Sequence, residues 1–342
     1  MMKGSSLFSI PVLCIKRGYA TKNHVFFLCV ILLVTGYNLK AQNSYLDYHY
    51  EIIEAEQLIV EHRIEEALSR FDALFEAYDF VFVRDYKVAT QLAVVLQNKT
   101  AALEYMRRAI GSGWEPEEIK KNKLVEDLFK TIPESLVDSL QKNYDQMLDK
   151  ALREKVHDMY KADQKMAIKN LLKIGQAAKA RHAEAKFAPH SEDQLKKVTE
   201  ILKNEGYPGE QLIGNDLWMS IILSHHNSIS SDHTKNDTIY PKLRPFLMSS
   251  LDKGQISPFE IALIENWRTA SQSNHQEVSY GYLGPALDPE SLEIVNVMRQ
   301  EIGLRSIELR NALVKIQDET EINFYLQGEP WQTGEIQVAL KK

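Results

Sequence analysis

Apolar residues recur along residues 46–113 at the spacing of helix faces. Ile52, Ala55, Leu58 and Ile59 fall on one stripe. Ile64, Ala67, Leu68, Phe71, Leu74 and Phe75 fall on a second, with Arg63 in the turn between them. Val88 to Leu96 continues the helical pattern, Gln97 to Lys99 interrupts it, and Ala101 to Ile110 resumes it, so two helix pairs are expected. Beyond Gly111 the pattern predicts a helix over 116–129, then one long charged helix, or two with a bend, over 135–174. Further helices are expected over 192–205, 216–226, 240–251, 257–270 and 289–317. Ser257-Pro258-Phe259-Glu260 combines a capping box with Pro at the first helical position, and Asp288-Pro289 repeats the cap and Pro arrangement. At the C-terminal end, 322–326 and 335–340 alternate around Gly328-Glu329-Pro330, which predicts a small β-hairpin or a frayed tail. The fold class expected is mainly α.

Superposing Glu66-Ala67-Leu68 on Ala101-Ala102-Leu103 gives an offset of 35 residues and sets Phe71 opposite Met106. This resembles the tetratricopeptide family, whose repeats run about 34 residues. The resemblance covers about 65 residues and lacks the family's Trp, Gly and Pro marks; plain helical hairpins are the alternative. The expected organisation is a leader over 1–41, tetratricopeptide-like hairpins over 42–130 and long charged helices over 131–175. A helical domain over 176–317 and a tail or hairpin over 318–342 complete it.

The leader follows from the N-terminus. Lys16, Arg17 and Lys22 precede an unbroken apolar run from Val25 to Val34, too short for a membrane-spanning helix and suited to a secretory signal cut after Ala41. Export to the periplasm or outside the cell is expected, with no stable membrane span once the signal is removed; a segment kept uncleaved as a membrane anchor is the alternative. The leader holds five basic residues and no acidic one, so the remaining chain has 36 basic against 47 acidic residues, a net charge of −11. Such a balance disfavours nucleic acid as a ligand. Cys14 and Cys29 also lie in the leader, leaving the mature chain without disulfides, thiolate metal sites or cysteine nucleophiles.

A second resemblance covers residues 152–310. Met159-x3-Asp163-Gln164 is followed in order by Gly206-Tyr207-Pro208, Ile213-Gly214, Ile222-Leu223-Ser224-His225, Asn266, Tyr280-Gly281 and Asn296-x2-Arg299-x2-Ile302-Gly303-Leu304. The series resembles a bacterial family of helical proteins catalogued as a domain of unknown function. Ser224, Asn266 and Tyr282-Leu283 depart from that family's usual Gln, acidic residue and Thr-Gln, and the resemblance implies no activity.

Read physically, Asp163, His225, Asn266, Asn296 and Arg299 interrupt apolar stripes, with Gln164 and Tyr280 beside them. Burying such groups unpaired costs roughly 1–3 kcal/mol each and more for charges, so they are expected to meet one another, Arg299 with Asp163 in particular. Two readings stay open. One is a buried polar network that fixes helix register; the other is a pocket in which His225 is a general acid or base oriented by Asp163. No metal site is expected, since His225 and His226 point about 100° apart on a helix and no His-Glu-x-x-His occurs. No cofactor is expected either, for there is no Gly-rich phosphate loop and no Gly-x-Ser-x-Gly elbow. The favoured function is non-catalytic binding of a protein or peptide in the cell envelope, using concave helix pairs and aromatics such as Tyr78, Phe80, Phe82 and Tyr86. The alternative is an envelope hydrolase built on His225 and Asp163.

Overall fold

A computed structural model describes residues 44–326 and 334–339. The expected leader, residues 1–41, lies outside the described residues, as does Gly328-Glu329-Pro330. The protein is mainly α-helical, as the apolar spacing predicts. Helices α1 (Tyr45–Val60) and α2 (Ile64–Ala77) form a first packed pair, and α3 (Val83–Val95) and α4 (Lys99–Ile110) a second. The 35-residue offset reappears in the backbone of the two turns. His62 and Gln97 take positive φ, 61° and 57°. Arg63 N–H donates to Leu58 O and Asn98 N–H to Ala93 O, each at 2.9 Å. This is the Schellman ending, in which one left-handed residue lets the next N–H groups reach free carbonyls of the last turn. Ala67 and Ala102, which the offset superposes, are both fully buried.

The stretch 116–129 forms two single turns, α5 (Pro116–Ile119) and α6 (Glu126–Phe129), instead of one helix. Asn122 separates them: its side-chain carbonyl accepts the Leu124 N–H at 3.1 Å, a local bond that competes with helix. The charged stretch is two helices, α7 (Glu134–Met147) and α8 (Lys150–Leu171), because Asp149 caps the second by accepting Leu152 N–H at 2.9 Å. There follow α9 (Gln176–His182), a π-turn over Ala183–Phe187, α10 (Ala188–Asn204), α11 (Glu210–Ile213) and α12 (Trp218–His226). Helices α13 (Ser231–Asn236), α14 (Tyr240–Asp252), α15 (Pro258–Gln272), α16 (Pro289–Glu301) and α17 (Ile307–Glu319) complete the order. The capping box at Ser257 and Glu260 forms with both of its bonds, and Asp288 accepts Ser291 N–H at 2.8 Å.

Two further expectations are corrected. The single helix over 289–317 breaks at Gly303, whose φ of 69° allows another Schellman ending with Leu304 N–H on Arg299 O at 2.8 Å. The C-terminal hairpin does not form among the described residues, because its two arms find different partners. The 335–339 arm pairs with Leu287, through Leu287 N–H on Gln337 O at 3.0 Å and Ala339 N–H on Leu287 O at 2.7 Å. The 322–326 arm lies against α3.

The described residues form one compact unit. Its core has two main apolar clusters. The first joins the inward faces of α1–α4 to Trp114, Val125 and Val137, and also to Leu309, Leu313, Ile322 and Phe324 from the end of the chain. The second joins α8, α10, α12, α14, α15 and α16, with Ile302, Leu304 and Ile307 from the break between α16 and α17. Among the described residues no helix is long and apolar enough to cross a membrane.

Candidate functional site

The sequence-predicted polar residues resolve into separate groups. Asp163 on α8 and His225 on α12 meet, with His225 Nδ1 2.5 Å from Asp163 Oδ2. Asp163 is wholly buried and its Oδ1 has no hydrogen-bond partner, whereas the His225 side chain is 28% exposed. Gln164 is half-buried beside them on α8. Asn266 on α15 uses Nδ2 on Ala262 O at 2.7 Å, and its Oδ1 accepts Tyr280 N–H at 3.1 Å and the Ser279 hydroxyl at 3.2 Å. Asn296 accepts Ile307 N–H at 2.9 Å and donates to Glu308 at 2.8 Å, so it fastens the start of α17 to α16.

The expected Arg299–Asp163 pair does not form. Fully buried Arg299 donates to the carbonyls of Tyr280 at 2.5 Å and Arg305 at 2.6 Å and lies 5.2 Å from the Tyr282 ring centre. The break after α16 brings one carbonyl, Arg305 O, within its reach and the loop before α16 another, Tyr280 O, while its Nη2 has no hydrogen-bond partner. Burial pushes its pKa down from the ordinary arginine value.

A second buried group surrounds His226. Ser191 Oγ lies 2.9 Å from His226 Nδ1, and His226 Nε2 lies 3.4 Å from Asp237 Oδ1. Arg268 holds Asp237 at 2.9 Å and Asn227 at 3.1 Å. Burial would raise the Asp237 carboxyl, but the bonds from His226, Ile239 N–H and Arg268 outweigh it and hold the group below the usual carboxylate range. The order Ser–His–Asp is that of a hydrolase triad, yet Ser191 and His226 are both fully buried and a nucleophile there meets no substrate. Its role is to bind α10, α12, α13 and α15 together.

The open site is elsewhere. A cavity of about 700 Å³ is walled by members of both apolar clusters, among them Ile52, Phe82, Phe259 and Leu304. Behind it, fully buried Glu56 on α1 holds Arg84 at 2.5 Å and Arg305 at 2.6 Å. Arg84 also pairs with Asp85 at 2.9 Å, and Asp85 accepts the Tyr48 hydroxyl at 2.6 Å. Lys87 pairs with Glu118 at 2.7 Å and sits 4.9 Å from the Tyr325 ring centre. Helix α3 begins at Val83 rather than Val88 because these polar residues turn inward to partners. Glu210 accepts Val83 N–H at 2.6 Å, and Glu260 accepts the Tyr207 hydroxyl at 2.8 Å and Ser257 N–H at 3.1 Å.

The carboxyls at and behind this cleft are shifted in opposite directions. For Glu56, burial acts upward, but Arg305 and Arg84 outweigh it and hold the group below the ordinary value. Burial pushes Glu210 up to about 8, with Asp85 and Glu260 adding to the rise. Burial likewise raises Asp85, despite Arg84, and Glu260. His49, in the same wall, is pushed down to about 3 by burial and by Arg305 and Arg84, and is neutral. Among the described residues no three His, Cys, Asp or Glu side chains group as a metal site requires.

Of the aromatics picked out in the sequence, Phe82 lines the cleft. Tyr86 packs on Phe75 at 4.5 Å, and Tyr78 stacks edge-on against Tyr45 and Tyr48. Sequence reasoning missed Glu56, Arg84, Asp85, Glu210, Glu260 and Arg305. One signal was present: Glu56 stands four residues after Ile52 and three before Ile59, a carboxylate on an apolar face. No protein-family model, curated protein or solved structure matches this chain, so the cleft's own chemistry is the ground for its function.

Proposed function

We propose that the protein is a non-catalytic peptide-binding protein of the cell envelope, with its ligand in the 700 Å³ cleft. One observation carries the reading: the cleft wall already holds non-helical main chain, residues 323–325, through side chains of α3. Gln91 on α3 donates Nε2 to Asn323 O and accepts Asn323 N–H on Oε1, both at 2.8 Å. Arg84 donates to Phe324 O at 3.0 Å, and Asn122 donates to the Tyr325 hydroxyl at 3.1 Å. A side-chain amide that takes both main-chain groups of one residue binds main chain whatever the side chain that residue carries. The cavity lies within the range of about 300–1,000 Å³ usual for small ligands, room for a peptide of a few residues. The resemblance of the 35-residue offset in α1–α4 to tetratricopeptide repeats supports the reading, since stacked helix pairs of that kind take peptides on their surfaces. The basic and apolar leader supports the envelope as the place of action.

Equilibrium dialysis against a random tetrapeptide-amide pool tests the reading. The wild type retains peptides, and Asn215→Trp, which fills the rim from an exposed lining position, loses them. No retention by the wild type, or equal retention by the variant, contradicts the cleft as the site.

A second reading, an envelope hydrolase, is favoured by the 2.5 Å contact between partly exposed His225 and buried Asp163. Neither residue lines the cleft. A panel of esters, peptides, glycosides and phosphoesters, run on wild type and His225→Gln, decides between the two. The binding reading expects no turnover, and turnover abolished in the variant would replace it, since a positioned acid or base is worth about 10²–10⁴ in rate.

A further inference from the structure

We infer that the tip formed by the end of α8 and the turn into α9 docks on the anionic surface of a phospholipid bilayer. Helix α8 leaves the core part-way along its length. Its buried residues are Leu152, Val156, Met159 and Asp163, and every residue from Leu171 to Ala177 is exposed. Ile168, Leu171 and Leu172 stand three and four positions apart, on one face of the helix, and Ile174 follows in the turn. These four side chains are between 53% and 95% exposed, and a Cβ at Gly175 would meet nothing within 4 Å, so the tip projects into open space. Large aliphatic groups clustered in water mark a surface for a partner or a membrane.

Charge decides which of the two. Residues 161–186 hold seven basic and two acidic residues, in a chain whose net charge is −6. One of those acids, Asp163, is buried against His225. Lys161 pairs with Asp158 at 2.7 Å, whereas among the described residues Lys165, Lys169, Lys173, Lys179, Arg181 and Lys186 have no ion-pair partner. Helix α9 and the π-turn bring the later cations back beside α8. His182 Nδ1 lies 3.1 Å from Asn170 Oδ1, and desolvation together with the charges of Lys173, Lys169 and Lys186 lowers the His182 pKa.

This chemistry fits a bilayer better than a protein. The centres of protein interfaces are depleted of lysine and enriched in aromatic residues, but residues 165–186 hold six cations and no Phe, Tyr or Trp. At a membrane surface the aliphatic groups enter the boundary of the acyl chains, while the long lysine stems carry their ammonium groups to the lipid phosphates. A negatively charged leaflet attracts each cation held near it. None of these residues lines the cleft, so docking stands or falls apart from the ligand proposed there.

The test is vesicle flotation of the chain from Gln42, which carries every residue of the apolar clusters but not the apolar run from Val25 to Val34. The wild type is expected to bind vesicles of about three parts phosphatidylcholine to one of phosphatidylglycerol at least about tenfold more tightly than phosphatidylcholine alone, and to be released by salt. Leu171→Ser with Ile174→Ser, and separately Lys169→Gln with Lys173→Gln, are each expected to weaken binding about tenfold. All four side chains are exposed, so the melting temperature is expected to stay unchanged. No binding by the wild type, or equal binding to both lipids, overturns the proposal, as does binding that both pairs of substitutions leave unchanged. A wild type that fails on vesicles yet dimerises in sedimentation through Leu171 and Ile174 assigns the tip to a second copy instead. The comparison of the two lipids needs only the wild type, so it stands even if a variant folds poorly.

Discussion

Glu56, wholly buried, faces two guanidinium groups from positions 28 and 249 residues away in the chain. Removing it leaves Arg84 with Asp85 alone and Arg305 without its carboxylate. Breaking one side of a buried pair costs about 3–5 kcal/mol, so Glu56→Ala is expected to lose that much in urea unfolding. A loss below about 1 kcal/mol would show that the arginines reach other acceptors. Glu210 makes a prediction of opposite sign in pH. A carboxyl whose folded pKa lies above its ordinary 4.5 favours the folded state below that value and loses the advantage as pH rises through about 8. His49 acts the other way, but only below 6.5, so the window from pH 6.5 to 8 isolates the carboxyls. Wild-type melting temperature is expected to fall across that window, and Glu210→Gln to flatten the fall; parallel slopes would contradict the assignment. At this scale Asp163 and His225 were legible because each interrupts an apolar stripe. Their contact is the one expected of a His225 oriented by Asp163, whereas the partner of Arg299 was not legible, since spacing along one helix says nothing of the carbonyls of Tyr280 and Arg305 that it meets.

The elements were legible where local chemistry writes their ends. Ser257 and Asp288 start helices where the caps predict. The breaks at Asn122, Asp149 and Gly303 were missed or left open because each lies within a stretch of continuous helical pattern. Gly303 matters most of these. Its φ of 69° lets α16 end, turns the chain into α17 and delivers Arg305 to Glu56; a Cβ there would stand 2.7 Å from His49 Cβ. Gly303→Ala combines strain at positive φ with a steric clash, and is expected to cost more than the roughly 1 kcal/mol of backbone strain alone. Chemical unfolding measures it, and a stability within 0.5 kcal/mol of wild type, about the spread of neutral surface changes, would contradict the role given to this turn.

Across the whole molecule, the helical class and the 35-residue offset were readable from periodicity, whereas the cleft was not. Its walls come from residues as far apart as His49 and Tyr325, and no local pattern announces which distant segments meet. The end of the chain illustrates this: 322–326 alternates like a strand, yet it lies on α3, with Phe324 fully buried in the first cluster. Phe324→Ala is expected to cost about 3–5 kcal/mol, the usual loss for a buried aromatic, in the same unfolding assay. The measurement that tests the central claim most directly is photo-crosslinking of a benzophenone-bearing tetrapeptide amide, mapped by mass spectrometry. The account predicts crosslinks within 82–87, 118–123, 215–217, 257–260, 303–305 and 321–325, the segments that line the cleft. Crosslinks confined to the neighbourhood of His225 and Asp163 would contradict it and return the function to that pair.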